Sequence, residues 1–404
     1  MSFFSSCALA APDPILNLSV AYKKDPHPTK VDLGVGAYRD DSGKPFVFSA
    51  VRRAEEMILK ENSANHEYTT IEGPVTLKPL CLKVLFGQNR LSDSDLQRIV
   101  SSQSISGTGA LRLAAEFITL HCHPKPIVYV SDPTWGNHNA IFEKAGLRVL
   151  SYPYWDAENR RVRADAWAAF LETVQEGSVI VVHACAHNPT GSDPSNSEIN
   201  TIVEIIKRRK LIAVADSAYQ GYASGDLERD AYMIRALLEA ECEFFITQSF
   251  AKNMGLYGER FGMVHIVTSD AQVAERAMSQ LKLVIRPMYS SPPIHGAKIV
   301  ERLLSDPELF SLWLEELKQV SGRINQVRRQ LADGLHAKGC GDWSHITRQI
   351  GMFSYTGMTA AQVDRMISKW HIYMLKNGRI SLAGINKNNL DYVIDAIADC
   401  VANA

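Results

Sequence analysis

The feature that most constrains the fold is a regular alternation of short β-branched runs with longer amphipathic stretches over residues 97–267. Apolar residues in the longer stretches recur with the spacing of a helix face, as at 110–120, 198–207 and 230–240. The runs predicted as strands are 97–101, 127–131, 147–152, 179–183, 211–215, 244–248 and 262–267. Strand–helix alternation favours a mostly parallel sheet with helices on both faces. We therefore predict a large, doubly wound α/β domain around a seven-stranded sheet.

The pattern changes after Leu309. A long amphipathic stretch from Phe310 to about Lys338 predicts a long helix that leaves the large domain. Short strand-like runs and a last helix follow, at 352–355, 372–375, 380–382 and 387–401. A chain of 404 residues is long enough for about two domains. This part of the sequence predicts a second, smaller α+β domain.

Composition and charge argue against several kinds of partner. The formal net charge of -1 gives no reason to expect nucleic acid or an acidic membrane surface. No apolar run reaches the roughly 18 residues that a membrane-spanning helix needs. The odd number of cysteines, with no CxxC pair, indicates reduced thiols, and the N-terminus lacks the basic residues of a targeting signal. These two features predict a cytoplasmic protein. His121, Cys122 and His123 have no further ligands at useful spacing, so we predict no metal site.

Polar side chains follow several predicted strands, where the ligands of open α/β sheets bind. Lys252 follows one run, Asp216 and Tyr219 another and Asn188 a third, while residues 106–108 open a helix. Taken singly, each has an ordinary interpretation as a solvated charge, a helix cap or a turn. Together at one sheet edge they supply what pyridoxal 5'-phosphate (PLP) requires, namely a lysine, a carboxylate and a phosphate cradle.

These segments resemble the aspartate aminotransferase family, PLP-dependent enzymes of fold type I. The likeness covers residues 13–401, and its motifs occur in the order that the family has. The motifs are DPIL, VDLGVGAYRD, YTTIEGP, SGTGALR, PTWGNH, HACAHNPTG, DSAYQGY, SFAKNMGLYGER, SSPPIHGA and GRISLAGI. The resemblance implies an N-terminal arm (1–12), a small domain in two parts (13–45 and 316–404) and a large PLP-binding domain (46–315).

The resemblance also implies which residues hold the cofactor. Lys252 would carry PLP covalently and then act as general base and acid, with its pKa depressed by burial and a neighbouring cation. Asp216 would pair with the pyridine nitrogen and keep it protonated. Tyr219 and Asn188 would hydrogen-bond the phenolic oxygen, and Trp135 would stack on the ring. The phosphate would be held by Ser106, Gly107, Thr108, Ser249 and Arg260, with Tyr68 of a neighbouring subunit.

Two arginines indicate the substrate class. Arg379 matches the family residue that binds the substrate α-carboxylate. Arg286 matches the family residue that reaches over from the other subunit and binds the distal carboxylate of the substrate. Each such charged hydrogen bond contributes about 1.5–3 kcal/mol. The other substrate-binding residues implied are Gly36, Trp135, Asn188, Ile15 and Leu16. We therefore expect a homodimer with shared active sites that converts L-aspartate and 2-oxoglutarate to oxaloacetate and L-glutamate by ping-pong transamination.

Three departures from the family pattern leave the substrate range open. Ala251 stands where serine is usual, Met254 replaces a common phenylalanine, and Ser291 lies where asparagine is frequent. An aromatic or broad-specificity aminotransferase is the main alternative. A PLP-dependent lyase and a non-catalytic scaffold are the others, because one fold hosts many functions. The nearby histidines are expected to support Asp216 and Trp135 rather than bind metal; they are His138, His183 and His187.

Overall fold

Strands and helices alternate along most of the chain. The computed structural model describes residues 2–11, 14–34, 36–61 and 65–403. The strands are β1 (Val31–Asp32), β2 (Ile99–Ile105), β3 (Ile127–Asp132), β4 (Arg148–Pro153), β5 (Trp155–Asp156), β6 (Arg161–Val162), β7 (Val179–His183), β8 (Ile212–Ser217), β9 (Phe244–Ser249), β10 (Phe261–Val267), β11 (Phe353–Tyr355), β12 (Ile372–Tyr373) and β13 (Arg379–Ser381). The helices are α1 (Pro14–Lys24), α2 (Ser49–Leu59), α3 (Leu77–Phe86), α4 (Asp93–Arg98), α5 (Ser106–His121), α6 (Asn137–Lys144), α7 (Ala164–Thr173), α8 (Asn196–Arg208), α9 (Leu227–Asp230), α10 (Tyr232–Glu239), α11 (Ala271–Tyr289), α12 (His295–Ser305), α13 (Pro307–Ala337), α14 (His345–Arg348), α15 (Ala360–Trp370) and α16 (Leu390–Ala402).

One large sheet, called the central sheet below, lies in the middle of the chain. Among the described residues it has seven strands in the order β2-β10-β9-β8-β7-β3-β4. Neighbouring strands from β4 to β9 pair in parallel, whereas β10 pairs antiparallel with both β9 and β2. The predicted mostly parallel, seven-stranded α/β sheet is therefore confirmed.

The inner strands of the central sheet are buried on both faces, which explains the apolar runs at the start of β7, β8 and β9. On β9, Phe244 and Ile246 belong to one core cluster, which includes residues of α7, α8 and α10. Phe245, between them, belongs to the cluster on the other face, which includes residues of α5 and α11. Since successive side chains of a strand point to opposite faces, a single run can serve two cores.

The first predicted strand is wrong by several residues. The sequence predicts a strand at 97–101, but the strand runs from Ile99 to Ile105 and passes directly into α5. Residues 97 and 98 instead end α4, a short helix with a capping box between Ser92 and Asp95. The error arose because the buried stretch 101–104 is polar, reading Ser-Ser-Gln-Ser. Its partners, such as His265 Nδ1 at 2.8 Å from Ser101 Oγ, come from a distant strand.

The C-terminal part begins with one 31-residue helix, α13. It starts three residues before the helix predicted at 310–338 and ends one residue before it. Asp306 caps it by accepting from two backbone N–H groups, and Pro307 stands at its first turn. The three small strands form at the expected places; β11 and β12 are shorter than predicted, and β13 has the predicted length but begins one residue earlier. Here β11 pairs antiparallel with β13, and β12 pairs in parallel with β1 from the N-terminal segment. Within the described part of the chain, no helix is both long and apolar enough to cross a bilayer.

Gly262 of β10 lies where a side chain has no room. A Cβ there would stand 2.6 Å from the Gln248 carbonyl oxygen and 2.7 Å from the carbonyl carbon of Ser106. Since these are backbone atoms, Gly262→Ala should push β10 away from the start of α5. We expect a loss of about 1–3 kcal/mol in the free energy of unfolding, measured by chemical denaturation.

Gly258→Ala is the matched control, because no described atom beyond its two chain neighbours lies within 4 Å of its added Cβ. It should change the free energy of unfolding by less than about 0.5 kcal/mol. Equal free energies of unfolding for the two variants would show that the protein accommodates a Cβ at Gly262 without loss of stability.

Candidate active site

A cavity of about 250 Å³ opens beside the carboxyl ends of β7, β8 and β9. Parallel strands bring their following loops to this edge, so residues far apart in the sequence meet there. The predicted residues that line it are Gly36, Ser106, Gly107, Thr108, Trp135, Asn188, Asp216, Tyr219, Ser249, Lys252, Arg260 and Arg379. The structure therefore brings together most of the residues that the sequence singled out.

Asp216 lies near the end of β8 and is only 7% exposed. His138 Nε2 lies 3.1 Å from one carboxylate oxygen, and the Thr247 hydroxyl donates to the other at 3.2 Å. Burial by itself raises the pKa of Asp216, but the hydrogen bond from His138, with smaller contributions from nearby positive charge that include Lys252, outweighs it and holds that pKa below the usual value. The carboxylate is therefore ionised at neutral pH.

Lys252 follows β9 and reaches into the same cavity. Its Nζ lies 5.1 Å from the centroid of the Tyr219 ring. Burial lowers the pKa of Lys252, the charge of Asp216 opposes this, and the charges of Arg260 and Arg379 lower it further. This is the direction that a nucleophilic or proton-transferring amine needs.

The N-terminus of α5 forms a second part of the cavity wall. Ile105 precedes the helix, and among the described residues no side chain caps it. Ser106 has a left-handed backbone with φ of 60°, and its N–H donates to the Arg260 carbonyl at 2.9 Å. A Cβ on Gly107 would stand 3.1 Å from Ser249 Cβ, so this wall is closely packed. An uncapped helix start beside an arginine is suited to a phosphate group.

Arg379 approaches the cavity from β13 and is 3% exposed. Its guanidinium donates to Asn188 Oδ1 at 3.2 Å and to the Gly34 carbonyl at 3.0 Å. Within the described residues it has no carboxylate partner, and its Nε has no hydrogen-bond partner. Burial lowers its pKa to about 10, so it remains a cation at neutral pH. A buried guanidinium without an anion is a binding group for a carboxylate.

The histidines near Asp216 form a hydrogen-bonded support. Thr134 Oγ1 lies 2.8 Å from His138 Nδ1 and 3.3 Å from His183 Nε2. His187 bonds Ser131 Oγ at 2.7 Å, and the ring of His138 packs edge-on against Trp135 with centroids 5.3 Å apart. Burial lowers the pKa of His183 and of His187 well below the usual value, so both are neutral. In the described part of the chain, no group of histidine, cysteine and acidic residues could hold a metal ion.

Of the predicted site residues whose side chains are described, two do not line the cavity. Tyr68 is 86% exposed, and Arg286 is an exposed residue near the end of α11 whose guanidinium donates to Ser290 Oγ. Both were expected to act on a neighbouring subunit's site, for which a surface position is required. Ile15 and Leu16 belong to α1, but their side chains lie outside the described residues.

Sequence reasoning did not assign some of the lining residues. Ala218 and Ala251 lie inside recognised motifs, next to assigned residues, so their neighbours could have indicated them. Phe353 had no such signal, because it reaches the cavity through the pairing of β11 with β13. Its ring centroid lies 4.0 Å from the Arg379 guanidinium carbon. Leu111 also lies inside a recognised motif, and His183, which was expected to support Asp216 and Trp135, lines the cavity as well.

Comparisons with known proteins identify the family of the chain. The model of the family "Aminotransferase class I and II" matches residues 28–397. The chain belongs to this family. It is 45% identical to a cytoplasmic aspartate aminotransferase of Dictyostelium discoideum, over all of this chain and 91% of that one. Other curated relatives are named mitochondrial or chloroplastic aspartate aminotransferases.

Two solved structures extend the likeness to three dimensions. The cytoplasmic aspartate aminotransferase of Saccharomyces cerevisiae is 43% identical with a TM-score of 0.96, over 99% of this chain and 98% of that one. The aromatic-amino-acid aminotransferase of Burkholderia pseudomallei, covalently bound to pyridoxal phosphate, is 41% identical with a TM-score of 0.95, over 99% and 100%. The predicted family and the predicted fold class, fold type I, are thus confirmed.

Removing the imidazole of His138 should destabilise the protein in a pH-dependent way. His138→Leu leaves one oxygen of buried Asp216 without its donor, which should cost about 1.5–3 kcal/mol at neutral pH. The lowered pKa of Asp216 gives stability that is present above the ordinary carboxyl range and is lost as pH falls. The deficit of the variant should therefore shrink as pH falls from about 6 to about 3, through the ordinary carboxyl pKa of about 4, measured by chemical denaturation.

His123→Leu is the control, since His123 is exposed and bonds only to the Leu120 carbonyl within the described residues. It should show no such pH-dependent deficit. A deficit of His138→Leu that is constant across this range would show that the carboxylate does not depend on His138.

Proposed function

We propose that this protein is an aspartate aminotransferase, which converts L-aspartate and 2-oxoglutarate to oxaloacetate and L-glutamate by ping-pong transamination with PLP. The observation that carries the proposal is that buried Arg379, without an anionic partner among the described residues, shares one cavity with Lys252 and Asp216. A carboxylate held by Arg379 would lie beside the amine that reacts. Relatives named aspartate aminotransferase, 45–46% identical over nearly the whole chain, support the same reaction.

The donor set around the cavity fits PLP. Lys252 would hold it covalently, Asp216 would bind its pyridine nitrogen, and the uncapped start of α5 would take its phosphate. The further cofactor ligands that we propose are Gly107, Thr108, Trp135, Asn188, Tyr219, Ser249, Arg260 and, from a neighbouring subunit, Tyr68. When bound, PLP supplies a protonated ring that accepts the electrons of the substrate Cα–H bond.

The protein's own residues would bind the substrate and move its proton. Arg379 would orient the α-carboxylate so that the Cα–H bond lies within reach of Lys252. The lowered pKa of Lys252 makes it easier for its amine to reach the neutral form, which would accept this proton and return it. The remaining substrate contacts that we propose are Gly36, Trp135, Asn188, Ile15, Leu16 and Arg286.

We further propose a homodimer with shared active sites, because Tyr68 and Arg286 are exposed and away from the cavity of their own chain. The proposed division is an arm (1–12), a small domain (13–45 with 316–404) and a large domain (46–315). The parallel pairing of β1 with β12 supports joining the two parts of the small domain. A cytoplasmic location is also proposed, supported by relatives that carry that name.

Activity on aromatic amino acids is a second candidate. The Burkholderia aromatic-amino-acid aminotransferase is about as similar to this chain in fold as the yeast aspartate enzyme. Ser291, in place of the frequent asparagine, follows Ser290, which binds Arg286. A shorter side chain there leaves more space beside the expected distal-carboxylate site.

Transamination can be tested with a panel of amino donors and 2-oxoglutarate, using the PLP-loaded protein. We expect L-aspartate to be the best donor, and Lys252→Ala to lose at least about a hundredfold in rate because its general base is gone. Lys210→Ala, at an exposed ion pair with Glu176, is the control and should keep its activity. Borohydride reduction and peptide mapping should find the cofactor on Lys252. Turnover without a keto acid would indicate a lyase, and a label on another lysine would contradict the proposed site.

Charge reversal at Arg286 should change substrate choice. Arg286→Asp removes the cation proposed for the distal carboxylate, so kcat/KM for L-aspartate should fall by more than about tenfold. The rate with L-phenylalanine, which has no distal carboxylate, should fall much less. Steady-state assays with both donors measure the ratio, and unchanged kinetics with L-aspartate would exclude this role for Arg286.

A further inference from the structure

Arg328 of α13 is a buried cation outside the cavity. It is 1% exposed, and among the described residues it has no acidic partner. Its guanidinium instead donates to three carbonyl oxygens, those of Ile346 at 3.1 Å, Gly351 at 2.6 Å and Phe353 at 2.6 Å. Burial lowers the pKa of Arg328 to about 9, so it is still charged at neutral pH. Burying a charge costs several kcal/mol unless hydrogen bonds compensate it. These three offset part of that cost, and Nε has no hydrogen-bond partner among the described residues.

The three carbonyls belong to one segment, residues 346–353, which reaches the cavity. Its last residue, Phe353, lines the cavity and presents its ring to the guanidinium of Arg379 at 4.0 Å. Phe353 also begins β11, where Tyr355 pairs with Arg379. The position of this segment therefore determines both the backbone beside Arg379 and the surface on which its guanidinium rests.

The same segment contacts the loop that carries Asn188. The N–H of Ile350 donates to the Gly191 carbonyl at 2.6 Å. A Cβ on Gly351 would stand 2.5 Å from Ala186 Cβ, so the two backbones approach each other closely. Asn188 Oδ1 accepts a hydrogen bond from Arg379. The segment therefore affects the guanidinium in two ways, through the ring of Phe353 and through the loop that carries Asn188.

We infer that Arg328 is a positioning residue for carboxylate binding, acting on Arg379 through segment 346–353 and the ring of Phe353. This inference rests on the proposed function, in which Arg379 binds the substrate α-carboxylate. A planar guanidinium can hold three carbonyls of one segment in a fixed arrangement, which a compact ammonium cannot do. An apolar side chain could fill the same volume without the cost of a buried charge, so packing alone does not require arginine here.

Arg328→Lys in the PLP-loaded protein tests the inference. Succinate, a dicarboxylate that lacks an amino group, reports carboxylate binding without turnover, and calorimetry gives its Kd. We expect the Kd of succinate and the KM of L-aspartate to rise about tenfold, the equivalent of one charge-assisted hydrogen bond. The kcat should change less than about threefold, because Lys252 and Asp216 are not displaced. A KM and Kd equal to wild type would overturn the inference.

Arg323→Lys is the matched control on the same helix. Arg323 also donates to two carbonyls, those of Arg39 and Ile385, and pairs with Asp41 at 2.6 Å. None of these three residues lines the cavity. Arg323→Lys should leave the Kd of succinate unchanged. An equal rise in both variants would mean a general loosening of α13 and would overturn the inference.

Phe353→Leu and the double variant test the route from Arg328 to Arg379. If Arg328 acts through the ring, Phe353→Leu should itself raise the Kd of succinate. The Kd of the double variant should then be no higher than the higher of the two single-variant Kd values. Additive effects would overturn the route. Should Arg328→Lys not fold, Phe353→Leu alone decides, since an unchanged Kd would contradict the inference. Failure of the wild type to bind succinate or transaminate L-aspartate would instead contradict the proposed function.

Discussion

The buried carboxylate of Asp216 is the constraint on which the candidate active site depends. Such a group stays ionised inside a protein only where donors and positive charge surround it. Here His138 and Thr247 lie within hydrogen-bonding distance, and Lys252 adds to the nearby positive charge. These partners belong to α6, to β9 and to the turn after β9. They meet because neighbouring strands of the central sheet end at one edge.

Arg379 brings a positive charge to the same site, opposite in sign to the carboxylate of Asp216. It comes from β13, outside the central sheet, yet it bonds Asn188 in the loop after β7. The cavity is thus lined by one carboxylate, that of Asp216, and by the side chains of Lys252, Arg260 and Arg379. That polarity suits a phosphorylated cofactor and an acidic substrate better than a neutral one. Arg328, equally buried, stabilises the segment on which the guanidinium of Arg379 rests.

The sequence predicted the fold well where local patterns are strong. The apolar run at 179–183 is β7 to the residue, because both faces of that strand are buried. The polar run at 102–104 was left out of the first predicted strand, because its serines and glutamine are buried by partners from other strands. The order of the strands was not predicted, and neither was the antiparallel direction of β10. Both depend on pairings between distant residues, which leave no period in the sequence.

The same distinction holds for the site. The sequence by itself determined the alternation of strands and helices, the family resemblance and the reactive groups, because periodicity and motifs are local. Lys252, Asp216 and Arg379 could all be named from it. Only the tertiary structure decided that Arg379 is buried without an anion among the described residues, that Phe353 lies against it, and that Arg328 bonds the segment behind it. Burial, charge compensation and contact arise from packing between distant segments, and no short stretch of sequence encodes them.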